Sequence, residues 1–175
     1  LLNFLSRSSG DFHKIVICCF TSTNEPLYKM IKEKNPEIDF VDDAEDIPDL
    51  EEFDNKNRNK NKLIVFDDFI HLNKKQMEKI NKYFIASRKY GFTCICLSQN
   101  YTSLPKLIAR NINYYMLFRI NDNVSLNHII RTHNISHIKK EELNKIYREI
   151  TQEPFNFLLI DLDDVNIRKN FLEFL

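Results

Sequence analysis

The apolar stretches of this chain are continuous rather than alternating, as in KIVICCF from Lys14 to Phe20, LIVF from Leu63 to Phe66 and CICL from Cys94 to Leu97. A strand with one wet face alternates, so a run that is apolar at every position belongs to a sheet covered on both sides. Candidate strands are Lys14 to Phe20, Lys62 to Phe66, Phe92 to Leu97, Tyr114 to Ile120 and Phe155 to Ile160, with a short extended piece at Ile38 to Val41. Helical patterns fall between them at Glu25 to Lys34, near Asp49 to Phe53, and at Asn73 to Tyr90, Pro105 to Asn111, Leu126 to Thr132 and Lys140 to Thr151. The last shows the clearest stripe, Leu143, Ile146, Tyr147 and Ile150. Only two glycines and five prolines in 175 residues leave little turn chemistry for a sandwich or barrel. The expectation is one α/β domain over residues 1–175, a mostly parallel central sheet between layers of helices, with no internal repeat.

Twenty-five Lys and Arg against 25 Asp and Glu exclude a monomer that coats nucleic acid with a broad basic face. Any such contact must be local. The polar stretch from Asp54 to Lys62 reads as a solvated surface loop, with a local DNA contact through Lys56, Arg58, Lys60 and Lys62 as the functional alternative. No apolar run has the length to span a bilayer, and Leu1 to Gly10 lacks the order of a signal peptide, so a soluble intracellular protein is expected. Cys18, Cys19, Cys94 and Cys96 lie in strand-like runs without C-x-x-C spacing, which favours buried thiols over a zinc site.

The strand from Leu63 ends abruptly in Asp67 and Asp68. In α/β sheets ligands bind beyond the carboxyl ends of strands. In a nucleotide-hydrolysing P-loop protein, a carboxylate there holds the magnesium ion that bridges the β- and γ-phosphates, and an adjacent acid orients the attacking water. Asp67 takes the first role in this reading and Asp68 the second; helix capping or turn formation is the plain alternative. The next apolar strand ends in Ser98, Gln99 and Asn100, and the Gln99 amide can donate and accept at once, as a sensor of the γ-phosphate or attacking water does. Arg110 and Arg119 are the cations that could reach a phosphate, within a subunit or across an interface as an arginine finger; ordinary surface or structural arginines are the alternative. His133 and His137 have the i, i+4 spacing of a metal pair, but Asn134 to Ser136 between them reads as a helix break. His71 reads as a turn residue.

Taken in order, several pieces resemble one family. Glu25-Pro26-Leu27-Tyr28, the aspartate strand LIVFDD, LSQNYTSLPK with the following Asn111, EPFNFLLIDL from Glu153 to Leu162, and Arg168-Lys169-Asn170-Phe171 together look like the DNA-packaging ATPases of nucleocytoplasmic large DNA viruses. These form the poxvirus-type branch of the FtsK-HerA superfamily of P-loop ATPases. The resemblance implies a RecA-like core that assembles as a homo-oligomeric ring, hydrolyses ATP with magnesium and drives double-stranded DNA into a capsid, with capsid components as partners. It implies a location in the host cytoplasm or the virion. It matches Asp67 and Asp68 to the metal and water-activating acids and Gln99 to the polar sensor, and it leaves the finger open between Arg110 and Arg119. A silent ring or capsid-associated subunit and a HerA-like helicase or plasmid-transfer motor are the rival readings.

One departure stands out. The family's G-x-x-x-x-G-K-[ST] loop would precede a helix that begins like Leu1 to Leu5, and no such loop occurs in the 175 residues. Without its backbone N–H groups and lysine, phosphate binding is expected to be weak. The expectation is a core whose first strand and glycine loop precede Leu1, with a genuinely loopless copy as the alternative.

Overall fold

The structure, a computed structural model, describes all residues except 21–24, 54–58, 121–125, 130–137, 172 and 175. It divides into two compact units, Leu1–Gln99 with Leu104–Ile108, and Asn100–Ser103 with Ala109–Leu175. The expected histidine pair, Lys56, Arg58 and the end of the Leu126 to Thr132 helix lie outside the described residues.

The first unit runs α1 (Leu2–Ser8), β1 (Lys14–Cys19), α2 (Pro26–Lys34), β2 (Asp39–Val41), β3 (Lys62–Asp67), α3 (Lys74–Ala86), β4 (Phe92–Leu97) and the short α4 (Lys106–Ala109). Its sheet has the order β2-β1-β3-β4, and every pair is parallel. The continuous apolar runs are explained by what covers each face. Ile15, Ile17, Cys19, Leu63 and Val65 pack with Leu5 of α1 and Tyr28 and Ile31 of α2. On the opposite face the Phe66 ring meets Phe69, Tyr83 and Phe84 at centroid distances of 6.3, 5.5 and 6.0 Å. Two helical layers thus flank an α/β sheet, as the sequence pattern requires.

α3 begins where its caps dictate. Asn73 Oδ1 accepts the Gln76 N–H at 3.0 Å while Gln76 Oε1 accepts the Asn73 N–H at 3.1 Å, a reciprocal capping box. The helix tightens into a 3₁₀ turn at Ser87–Tyr90 and is closed by Gly91 at φ 72°, a left-handed position that glycine takes without strain. β4 follows at once and forms the end strand of this sheet. Cys94 and Cys96 are therefore only half-buried, whereas Cys18 and Cys19 are buried. Burial still pushes the Cys18 and Cys94 thiols up to about 12 and that of Cys96 to about 11, so all three stay protonated and unreactive near neutral pH.

Lys62 corrects the surface reading of the Asp54 to Lys62 loop. It is only 1% exposed, its Nζ donates to the Lys60 carbonyl at 2.8 Å and lies 5.4 Å from the Phe92 ring centroid. Burial first, and Lys60 second, lower its pKa. A side chain spent inside the fold does not grip DNA; Lys60 remains exposed.

The second unit holds β5 (Tyr114–Leu117), a helical turn at 126–129, α5 (Lys140–Ile150), β6 (Leu158–Asp161), β7 (Asn166–Lys169) and β8 (Glu173–Phe174). Its sheet, β5-β6-β7-β8, is antiparallel throughout. Here the expectation of doubly covered parallel strands fails. β5 alternates, with Tyr115 and Leu117 buried and Tyr114 and Met116 exposed. Phe155, expected to open a strand, stands outside β6 in a left-handed conformation at φ 68° and is 88% exposed. The α5 stripe behaves as its spacing requires. Leu143, Tyr147 and Ile150 pack with Tyr115, Leu117, Leu158, Ile160 and Ile167. The Tyr147 hydroxyl also donates to the Phe118 carbonyl at 2.8 Å and accepts the Ile120 N–H at 2.6 Å. Among the described residues, no helix is long and apolar enough to cross a membrane.

Replacing Tyr147 by Phe keeps the packing and leaves two backbone groups without their partner. The variant is expected to lose about 1 kcal/mol in urea unfolding, the usual net worth of a hydrogen bond at a part-buried site. An unchanged midpoint would show that water replaces the hydroxyl.

Candidate functional site

Three neighbouring strands end level. Cys19 of β1, Asp67 of β3 and Leu97 of β4 are partners across the parallel ladder, so Phe20, Asp68, Ser98 and Gln99 all follow the same carboxyl edge. Asp67 and Gln99 thus leave adjacent strands, with Gln99 two residues past the ladder partner of Asp67. Alternation puts Asp67 on the face of Leu63 and Val65, beneath α1 and α2. Its Oδ2 accepts a hydrogen bond from the Tyr28 hydroxyl of α2. Burial, followed by this bond, pushes the Tyr28 phenol well above the ordinary tyrosine range.

Asp68 ends the strand by its backbone. Its φ of 50° is left-handed, and its N–H reaches the Leu97 carbonyl at 3.4 Å, tying β3 to β4 one residue beyond the ladder. Aspartate tolerates this region better than most residues, though held strain there costs about 1–3 kcal/mol and tends to gather at functional sites. Both carboxylates are half-buried and Gln99 is exposed. Among the described residues neither carboxylate is in an ion pair of 4.0 Å or less.

The donor chemistry of this edge suits magnesium. Among the described residues there is no group of three or more His, Cys, Asp or Glu placed to cage a metal. Magnesium does not need one, because it binds through one or two carboxylates and keeps waters and substrate phosphates as its other ligands. Asp67 and Asp68, with the neutral oxygens of Ser98 and Gln99 at the end of the neighbouring strand, offer only hard oxygen donors.

The arginines belong to the second unit. Arg110 is exposed just past α4, and Arg119 is exposed past β5, so the two leave opposite ends of that strand. Arg119 lines a hollow of ≈ 320 Å³ with Phe118, Thr151, Gln152, Glu153, Pro154 and Phe155. One rim of it is rigidly tied. Asn170, left-handed at φ 55°, accepts the Phe157 N–H at 3.1 Å and donates to Asn156 at 3.0 Å, while Asn156 donates to Glu153 at 2.8 Å. The EPFNF and RKNF pieces are therefore tied side by side at one end of the β6–β7 hairpin. Asp161 is buried and takes the N–H groups of Asp163 and Asp164 at 3.0 and 3.1 Å and the Arg168 guanidinium at 3.5 Å, which makes it the organiser of the β6–β7 turn. His71 is exposed in a turn. Tyr28, which the sequence pattern left without a role, is the side chain that the fold brings against Asp67.

The α/β fold that carries this edge is similar to the fold of viral genome packaging NTPases. The genome packaging NTPase B204 from Sulfolobus turreted icosahedral virus 2, in complex with sulfate, matches with a TM-score of 0.64 at 14% identity, covering 96% of this chain and 88% of that one. The same NTPase in complex with AMPPCP gives 0.62 at 13%, covering 95% and 86%. The DNA-packaging ATPase B204 from Sulfolobus Turreted Icosahedral Virus gives 0.61 at 13%, covering 96% and 90%. At such identities the likeness is one of fold. No protein-family model and no curated protein matches the chain.

The left-handed backbone of Asp68 makes its own prediction. Asp68→Asn should fold with unchanged stability, because asparagine also accepts φ > 0, whereas β-branched Asp68→Val should lose about 2 kcal/mol in urea unfolding. Equal stability of the two variants would contradict the observed turn.

Proposed function

We propose that this chain is the ATP-hydrolysing core of a motor that moves double-stranded DNA into a viral capsid. The observation that carries the reading is the adjacency of Asp67 and Asp68 to Gln99 at one carboxyl edge of a parallel sheet, in a fold shared with packaging NTPases. Asp67 is the carboxylate for magnesium, which when bound neutralises charge on the β- and γ-phosphates of ATP. Asp68 accepts a hydrogen bond from the attacking water and takes its proton. The Gln99 amide holds that water or the γ-phosphate in line. Arg110 or Arg119 stabilises charge on the transferred phosphoryl group, in the same subunit or across a ring of copies. A ring that grips the phosphate backbone through pore loops needs no sequence preference and no strongly basic subunit. Capsid components are the remaining partners.

The glycine-rich cradle that P-loop enzymes fold around the phosphates is not among these 175 residues, whose glycines are Gly10 and Gly91. A second reading is a subunit that keeps the fold and the ring surface without turnover. The two readings part on ATP hydrolysis by the whole gene product, with and without duplex DNA. The motor reading expects magnesium-dependent turnover raised by DNA, and Asp68→Asn expected to lower kcat by about 100-fold or more while nucleotide binding persists. Undiminished hydrolysis by Asp68→Asn would reject the acid's role, and the absence of turnover in the wild type would favour the silent subunit.

The finger is tested in mixed rings. Arg110→Ala or Arg119→Ala, but not both, should regain ATPase activity when mixed with subunits that carry Asp68→Asn and an intact arginine. Failure of both to be rescued would contradict action across the interface.

A further inference from the structure

The segment Glu25 to Tyr28 has no task in the hydrolysis scheme, yet it ends in the side chain that touches Asp67. Pro26 opens α2 at the position where its missing N–H costs nothing, which sets the first helical turn against the carboxyl end of the sheet. Tyr28, in that turn, is 4% exposed. Its ring meets Phe40 of β2 nearly edge-on, at 6.3 Å and 75°, and packs in the cluster with Cys19, Ile31 and Val65. The ring is thus held by helix and sheet together, and the position of its hydroxyl follows.

Where that hydroxyl goes is unusual within this protein. The other buried tyrosines satisfy theirs on backbone carbonyls: Tyr83 on Pro48 at 2.8 Å, Tyr115 on Ala109 at 3.0 Å and Tyr147 on Phe118 at 2.8 Å. Such bonds hold a core together. Tyr28 instead donates to a carboxylate, Oδ2 of Asp67, across 39 residues of chain. Among the described residues it is the hydrogen-bond partner of that carboxylate, and it engages one oxygen of the two. A free carboxylate at a strand end turns about its side-chain bonds. This one is fixed in rotation through one oxygen and keeps the other.

We propose that Tyr28 is a positioning residue for Asp67: by holding Oδ2 it orients the carboxylate so that Oδ1 is kept for a divalent cation. The proposal rests on the reading of Asp67 as the magnesium carboxylate. Groups that hydrogen-bond a metal ligand fix its orientation, and their loss typically costs 10–100-fold in metal affinity or activity. Tyr28 acts in this way through Asp67 and touches neither nucleotide nor cation itself.

The test measures Mn²⁺ binding, in the presence of ATP, by water-proton relaxation on the whole gene product. Tyr28→Phe keeps the ring and removes only the donor. It is expected to weaken Mn²⁺ binding about tenfold, and Asp67→Asn to abolish it. Wild-type affinity in Tyr28→Phe, alongside loss in Asp67→Asn, overturns the positioning role and leaves the metal reading intact. Wild-type affinity in Asp67→Asn overturns both. A second readout needs no variant, and so survives a Tyr28→Phe chain that fails to fold. The ¹³Cζ resonance of Tyr28 should shift as Mg²⁺ is added with ATP, because cation binding at Oδ1 draws charge from the oxygen that the phenol shares. A resonance that stays in place while Mg²⁺ binds contradicts the proposal.

Discussion

The in-register parallel pairing of β1, β3 and β4 is the constraint on which the candidate site depends. Lys62 pairs with Phe92 and Asp67 with Leu97 without a break, so whatever follows these strands must emerge at one level. A slip of one residue would turn every side chain of β3 to the other face. Asp67 would then leave the α2 side, and the bond to Tyr28 would be lost. What fixes the register is the packing of alternate residues, Leu63 and Val65 toward α1 and α2, Ile64 and Phe66 toward the opposite face. The site is therefore held by the same burial that holds the sheet.

Asp68 shows how the edge is finished. The strand cannot continue through a left-handed residue, yet its N–H still bonds β4. A turn built this way gives the acid a fixed backbone and keeps it half-exposed. The second unit solves a similar problem with side chains. Asn170, Asn156 and Glu153 close a loop that presents Phe155 to solvent, while Tyr147 fastens the backbone beyond β5.

The first unit was legible in the sequence because its strands are apolar at every position, and the covering of both faces leaves no other pattern. The second unit misled for a physical reason. Tyr114 and Met116 lie on the open side of β5 and Phe118 is exposed just past it, so a one-sided strand reads as a two-sided one. β7 gave no signal, since Asn166, Arg168 and Lys169 surround a single core residue, Ile167. Phe155 is apolar but exposed, held out by hydrogen bonds that no periodicity records. Asp67, Asp68 and Gln99 could be picked out because polar groups stop apolar runs abruptly. Tyr28 could not, because its partner lies far along the chain and only the folded sheet brings them into contact.

A structure of the whole gene product with magnesium and a non-hydrolysable ATP analogue tests the central claim most directly. The account predicts the cation at about 2.0–2.1 Å from an Asp67 carboxylate oxygen, with the terminal phosphate between it and the end of β4. A cation and phosphates bound anywhere other than the carboxyl edge of β3 and β4 would contradict it.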